Sequence, residues 1–273
     1  MNTQLVKEKQ DLTYLSWSVY RNSSGTAGSF LKSYSELGGR KVYYKLSNFD
    51  KVQGVIGHEC VNELIVDRLL TILGIPHLSY RLIHADIIVD GKIRDVYLCA
   101  SDDFKEKDES KIALDVYKER EEYEAESALD FCVRKGWEDY IYQMLVVDYL
   151  ILNRDRHGAN IEVLRNSRKK TFRMAPLFDH GLSFLFRCTD DSQVDEFDVL
   201  EDKPCNNYIG SKSTWENLKL IPADKRPMLN SLCESDRARV MEGLDGIISG
   251  ALQDKMWEMI WKRWCAYDVF CNS

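Results

Sequence analysis

An apolar stretch that ends in a short polar motif constrains the fold of this chain more than any other feature. Residues 144–152 read MLVVDYLIL, which predicts an apolar helix that ends at the turn signal Asn153. The next residues, 153–160, read NRDRHGAN. Two further segments, 161–164 and 171–174, predict a strand, a turn and a second strand. The sequence therefore predicts a polar loop between a helix and a hairpin.

Three oxygen-bearing side chains lie in and after this loop. Asp155 and Asn160 belong to the loop, and Asp179 follows nineteen residues after Asn160. Phosphoryl transfer from ATP needs one acid to orient a hydroxyl nucleophile and two oxygen ligands to hold Mg²⁺ on the phosphates. We therefore predict three catalytic residues, with Asp155 as the base and with Asn160 and Asp179 as the metal ligands.

Two segments of the chain, 153–160 and 174–179 (MAPLFD), resemble the catalytic loop and the metal-binding segment of the HipA-like kinases. Those are bacterial serine/threonine kinases, distantly similar to phosphatidylinositol 3/4-kinases, which also carry an Asp-Arg-His-x-x-Asn loop. His157 follows Asp155 here, whereas His precedes the catalytic Asp in the ordinary eukaryotic protein-kinase signature. The resemblance covers about residues 20 to 185. It implies an α+β, bilobal protein-kinase-like fold.

The first hundred residues predict strand, strand, helix, strand, strand, which is the plan of a small β-rich N-lobe with one helix. The predicted elements are strands 28–34 and 40–46 around the hairpin turn 37–39, a helix over 57–73 that Gly74 and Pro76 stop, and strands 79–89 and 92–99 around Asp90-Gly91.

The remaining chain predicts a larger, mainly helical C-lobe. The charged stretch 105–110 reads as the connection, so we expect an N-lobe over 1–104, a C-lobe over 105–273 and an ATP cleft near 99–104. Helices are predicted over about 112–135, 137–152, 235–252 and 254–266, and the polar, acidic stretch 189–203 is predicted to be a mobile surface segment.

A stretch of small residues, 22–29, precedes the first predicted strand pair. Backbone N–H groups in such a stretch can hold phosphates, and we predict that Ser24, Gly25, Thr26 and Gly28 contact ATP. The alternative is an ordinary flexible loop, because neither Gly-x-Gly-x-x-Gly nor the Walker pattern is present.

A lysine on a strand supplies the charge that neutralises the ATP phosphates. Lys45 is predicted for this role because it lies deeper in its strand than Lys41, which shares the same face. Glu63 is predicted to pair with Lys45, with Glu59 as the alternative one turn earlier. Tyr43 departs from the kinase pattern, which has a small residue two positions before the lysine.

Three neighbouring side chains are predicted to have supporting roles or none. His157 is expected to hydrogen-bond within the loop, and His180 is expected to be structural. Arg154 and Arg156 are expected to be solvated or salt-bridged, as arginines beside a loop commonly are.

Composition limits the classes of function. The chain has 273 residues, a formal net charge of −7 and a pI of about 5.4, so no direct binding to nucleic acid is expected. Its eight cysteines form no Cys-x-x-Cys pair, which is typical of a reduced, cytoplasmic protein. The N-terminus has no apolar signal core, and no apolar run approaches the ~18 residues of a membrane span.

The resemblance implies an ATP- and Mg²⁺-dependent serine/threonine protein kinase with a protein substrate. Toxin kinases of that family can be restrained by a DNA-binding antitoxin partner, and they can phosphorylate a serine in their own phosphate loop. In this chain Ser23, Ser24, Thr26 and Ser29 lie in the corresponding stretch. Two alternatives are a lipid or small-molecule kinase, which the absence of a basic amphipathic membrane surface disfavours, and a non-catalytic nucleotide-binding regulator.

Overall fold

A computed structural model describes residues 4–18, 30–121 and 125–272, except for the side chain of Leu37. Over these residues the strands are β1 (Leu5–Asp11), β2 (Lys32–Leu37), β3 (Arg40–Leu46), β4 (Phe49–Asp50), β5 (Gly54–Val55), β6 (Arg81–Val89), β7 (Lys92–Asp102), β8 (Glu109–Ala113), β9 (Asp155–Arg156), β10 (Glu162–Asn166), β11 (Thr171–Met174) and β12 (Asn206–Asn207). The α-helices are α1 (Glu59–Leu73), α2 (Leu114–Arg120), α3 (Ala128–Arg134), α4 (Glu138–Leu150), α5 (Asp191–Asp195), α6 (Thr214–Leu218), α7 (Arg237–Val240) and α8 (Gly250–Asn272). Short 3-10 helices lie at Gly158–Asn160, Ala223–Lys225 and Glu234–Asp236.

A five-stranded sheet in the order β1-β6-β7-β3-β2 forms the β-rich part of the molecule. Its hairpins β2–β3 and β6–β7 are antiparallel and confirm the two predicted hairpins. The turn residues Gly38, Gly39, Asp90 and Gly91 all have positive φ, between +50° and +76°, as the favoured two-residue hairpin turns require. β1 pairs in parallel with β6 at the edge of the sheet, and no local sequence feature predicts this pairing.

Helix α1 joins the sheet to the helical part of the chain. It confirms the predicted helix over 57–73, and Gly74 ends it with φ +74° in the left-handed region. Of its 15 residues, 13 are buried. Its apolar side chains share one hydrophobic core with residues of α4 and α8, and Arg68 donates hydrogen bonds to the carbonyls of Val240 and Glu242. The position of α1 is therefore fixed from several sides.

The helical part is built around α4, which confirms the helix predicted over 137–152. Arg263 of α8 is buried, and its guanidinium donates to the carbonyls of Tyr149, Val199 and Glu201 at 2.8–3.1 Å. These bonds tie α8 to the end of α4. A small sheet in the order β11-β10-β8 completes this part of the chain and contains the predicted strand-turn-strand.

The single helix predicted over 112–135 is wrong. Residues Glu109–Ala113 form β8, which pairs with β10, and two short helices follow. Ser127 starts the second of them, because its side chain accepts a hydrogen bond from the backbone N–H of Asp130. The strand forms through a distant partner that no local periodicity encodes.

The helix predicted over 235–252 is also wrong, since α-helix there is confined to Arg237–Val240. Gly243 and Gly246 have φ values of +74° and +78°, which a right-handed helix cannot accommodate. The following helix, α8, is longer than the predicted 254–266 and runs over Gly250–Asn272.

The acidic segment 189–203, predicted to be a mobile surface segment, is anchored in part. It contains α5, and the side chains of Val194 and Val199 are buried. None of the helices in the described ranges is long and apolar enough to cross a membrane.

The fully buried Leu69 of α1 gives a test of the core. We expect Leu69→Ala to lower the free energy of unfolding by about 2–5 kcal/mol, because the cavity it leaves closes only partly. Val269→Ala on α8, where the side chain is 69% exposed, should change it by less than about 0.5 kcal/mol. Thermal unfolding followed by circular dichroism measures both variants, and equal shifts would contradict the described packing of α1.

Candidate active site

A buried cluster of three charged side chains joins the sheet, α1 and the segment that follows β11. Lys45 Nζ of β3 lies 3.2 Å from Glu63 Oε1 and 2.6 Å from Asp179 Oδ1. Burial alone would lower the pKa of Lys45, but the carboxylates of Asp179 and Glu63 outweigh burial and hold that pKa well above its usual value. Lys45 is therefore a permanent cation in this site.

The two alternatives for this ion pair lie elsewhere. The ammonium of Lys41 sits 3.7 Å from the ring centroid of Tyr34. The carboxylate of Glu59 accepts a hydrogen bond from the backbone N–H of Asn48. The structure thus brings together Lys45 and Glu63, and neither Lys41 nor Glu59 takes their place.

Glu63 also braces the chain that follows Asp179. Its carboxylate accepts hydrogen bonds from the backbone N–H groups of His180 at 2.9 Å and Gly181 at 3.1 Å. A side chain at Gly181 would start 3.2 Å from Lys45 Nζ and 3.3 Å from Glu63 Oε1, so glycine permits this close approach. One carboxylate on α1 consequently fixes both the lysine and the Asp179 segment.

Asp179 has a left-handed backbone conformation, with φ +58°. Its backbone N–H donates to the hydroxyl of Tyr80 at 3.2 Å, and burial raises the pKa of Tyr80 well above its usual value. The neighbouring His180 is buried, and burial holds its pKa well below the usual value, so the ring is neutral at pH 7. His180 therefore contributes no charge to the cluster.

The loop 153–160 is held by a buried ion pair. Arg156 is 1% exposed, and its guanidinium lies 2.8 Å from Asp148 Oδ1 of α4. The same guanidinium donates to the carbonyls of Asn160 and Phe178 at 3.3 and 2.8 Å. Arg156 thus ties the catalytic-loop candidate to the residue that precedes Asp179.

Asn160 has an amide with one bonded end and one free end. Its Nδ2 donates to the carbonyl of Asp155 at 2.9 Å. Its Oδ1 is buried and has no hydrogen-bond partner among the described residues. A buried amide oxygen without a donor fits the oxygen ligand that Mg²⁺ prefers.

The described residues hold no cluster of three or more His, Cys, Asp or Glu side chains that could bind a metal by themselves. This suits Mg²⁺ bound by one or two side chains together with substrate phosphates. Asn160 and Asp179 are the residues that could hold the ion.

The carboxylate of Asp155 is the accessible member of the site, with 31% of its side chain exposed. Its Oδ1 accepts a hydrogen bond from Asn206 Nδ2 at 3.2 Å, and its Oδ2 lies 3.7 Å from His157 Nε2. An exposed carboxylate with one uncommitted oxygen can accept a proton from a hydroxyl group.

Sequence reasoning missed two contributors to this site. Arg156 was expected to be solvated or salt-bridged, but its partner Asp148 lies within the apolar stretch and was read as part of a helix. A charged residue inside such a stretch is a signal that could have found the pair, since buried charges need partners. Asn206 gives no such signal, because only the tertiary fold brings it to Asp155.

The predicted phosphate-binding residues Ser24, Gly25, Thr26 and Gly28 lie outside the described residues, as do the candidate phosphorylation sites Ser23 and Ser29. Their roles stay predictions.

A pocket of about 650 Å³ lies at the N-terminal end of α1 and contains none of the predicted site residues. Ser47, His58 and Cys60 line it, together with residues of β4, β5 and β7 and Ile247 and Ile248. Burial lowers the pKa of His58 to about 4, so its ring is neutral at pH 7. The chemistry described above is therefore separate from this pocket.

No protein-family model matches the chain, and a search of curated proteins finds no match. Two solved structures are similar to it. The proinflammatory kinase CtkA of Helicobacter pylori is 16% identical, with a TM-score of 0.64 over 93% of each chain. A structure of the Shewanella oneidensis MR-1 toxin–antitoxin system HipA, HipB and its operator DNA matches at 15% identity, with a TM-score of 0.42 over 91% of this chain and 58% of that chain.

The likeness to CtkA establishes the fold, because it extends over nearly the whole of both chains. The chain has a mixed α+β, kinase-like fold with a β-rich N-terminal part and a helical C-terminal part, as the sequence predicted. The resemblance to HipA-like kinases is confirmed at this level. The TM-score of 0.42 for HipA is too low to support a further argument.

The buried pair of Arg156 and Asp148 makes a sharp stability prediction. We expect Arg156→Met to lower the free energy of unfolding by about 3–5 kcal/mol, because it leaves the Asp148 carboxylate buried without its cation. Arg154→Met is the matched control, since Arg154 is less buried and its printed side-chain contact is one hydrogen bond to the carbonyl of Pro204. That variant should cost about 1 kcal/mol. Chemical denaturation compares the two, and equal costs would contradict the bracing role of Arg156.

Proposed function

We propose that this chain is an ATP- and Mg²⁺-dependent phosphotransferase, and specifically a serine/threonine protein kinase. The observation that carries the proposal is the pairing of Lys45 Nζ with the carboxylates of both Glu63 and Asp179. It unites a cation for phosphates with a metal-ligand candidate beside an exposed carboxylate, that of Asp155. Phosphoryl transfer depends mainly on such positioning and electrostatic stabilisation.

In the proposed mechanism Lys45 neutralises charge on the ATP phosphates, and Glu63 keeps its ammonium in place. Asn160 and Asp179 hold the metal. Bound Mg²⁺ would neutralise the negative charge that develops on the phosphate oxygens. Asp155 accepts a hydrogen bond from the attacking hydroxyl and then its proton.

The proposal extends to the arrangement of the site. The N-lobe, residues 1–104, supplies the lysine and the stretch 22–29 to the phosphates, and the C-lobe, residues 105–273, supplies the catalytic loop. We propose a protein substrate on the basis of the resemblance given above. The antitoxin partner and the phosphorylation of the stretch 22–29 stay predictions.

Nucleotide binding gives the first test. We expect calorimetry with a non-hydrolysable ATP analogue to show binding that Mg²⁺ strengthens, because Asn160 and Asp179 contribute only through the metal. Titration in the presence of a chelator is the control. An affinity that is the same with chelator and with Mg²⁺ would contradict the metal assignment.

Two substitutions separate the base from the metal ligand. Asp155→Asn should leave nucleotide binding intact and lower phosphotransfer by about 10²–10⁴-fold, the usual contribution of a general base. Asp179→Ala should weaken Mg²⁺–nucleotide binding as well as turnover. Transfer of labelled phosphate from ATP to a cell extract, together with calorimetry, measures both effects. Near-normal turnover of Asp155→Asn would sink the proposed role of Asp155.

A further inference from the structure

The amide of Asn206 contacts the carboxylate proposed as the catalytic base. Asn206 Nδ2 donates to Asp155 Oδ1 across 3.2 Å. The distance of 3.7 Å from His157 Nε2 to Asp155 Oδ2 is too long for a hydrogen bond. Among the described residues, Asn206 is thus the side chain that donates a hydrogen bond to this carboxylate.

We infer, in an extension that rests on the proposed function, that Asn206 is a positioning residue for phosphoryl transfer. Its N–H group occupies Oδ1 of Asp155 and fixes the orientation of the carboxylate. Oδ2 is then the oxygen that accepts the hydroxyl proton as the new O–P bond forms. The bond between the γ-phosphorus and the leaving oxygen breaks in the same reaction, and its electron pair leaves with ADP.

The backbone holds Asn206 firmly beside the base. β12 runs parallel to β9, and the backbone N–H groups of Asn206 and Tyr208 donate to the carbonyls of Arg154 and Arg156, both at 2.9 Å. These two carbonyls flank Asp155 in sequence. The strand pairing therefore places the amide in one register relative to the carboxylate.

The loop around Asn206 is closed by its own hydrogen bonds. Asn207 Oδ1 accepts from the backbone N–H groups of Ile209 and Gly210 at 2.9 and 3.0 Å. Cys205 N–H donates to the carbonyl of Lys212 at 2.8 Å. Although Asn206 is exposed, its amide is held in place before any substrate binds, so little ordering is needed for its contact with Asp155.

The experiment compares three residues at position 206 in the full chain. Asn206→Ala removes the donor, and Asn206→Asp keeps the shape while placing a second carboxylate beside Asp155. Asn206→Ser keeps a short donor. Release of ADP from Mg·ATP, with dephosphorylated casein as the acceptor, gives kcat and the KM for ATP.

A donor role predicts a specific order of activity. We expect kcat to fall roughly tenfold for Asn206→Ala, which corresponds to the loss of one hydrogen bond in the transition state. Asn206→Asp should be slower still, because like charges repel, and Asn206→Ser should recover part of the loss. The KM for ATP should stay within about twofold in all three variants, since a contact made for the transition state affects kcat rather than binding.

Lys212→Ala is the matched control on the same loop, because this side chain makes no printed contact with the other described residues. It should keep wild-type kcat. A merely structural role of Asn206 predicts the reverse order, with the isosteric Asn206→Asp more active than Asn206→Ala. That order, or a wild-type kcat for Asn206→Ala, would overturn the inference.

Asp155→Asn separates this inference from the proposed function. An inactive Asp155→Asn beside a fully active Asn206→Ala would contradict the role of Asn206 alone. A wild-type chain that releases no ADP, or an Asp155→Asn variant as active as wild type, would contradict the proposed function.

Discussion

One buried ammonium group, Lys45 Nζ, imposes the conditions that the rest of the site satisfies. A charge removed from water is costly unless opposite charges compensate it. Glu63 and Asp179 provide that compensation from two other elements. Because the three side chains come from β3, from α1 and from the segment after β11, the sheet and the helical part of the chain must meet at this point.

The same need for compensation explains the second buried pair, Arg156 and Asp148. Arg156 spends its remaining N–H groups on the carbonyls of Asn160 and Phe178. The cation that balances a charge on α4 therefore also sets the distance between the catalytic-loop candidate and the Asp179 segment. Stability and the geometry of the site depend on the same atoms here.

Local patterns in the sequence predicted what local physics determines. The apolar repeat and Gly74 defined α1, and Asp90-Gly91 defined a hairpin, because turns and helix ends depend on neighbouring residues. β1, β8 and the contact of Asn206 with Asp155 depend on partners far along the chain, and no local pattern encodes them. The motif residues Asp155, Asn160 and Asp179 could be named from their spacing, whereas the groups that hold them required the fold.

The nearly complete burial of α1 has a consequence for how the molecule can move. A helix with one exposed face can slide or swing at small cost, but 13 of the 15 residues of α1 are buried. Displacing it would expose core side chains and break the bonds of Arg68 to the carbonyls of Val240 and Glu242. Its central amides should therefore exchange with solvent mainly through global unfolding rather than local opening. Glu63 thus belongs to the rigid frame of the molecule, and motions that accompany a reaction must come from the loops around it.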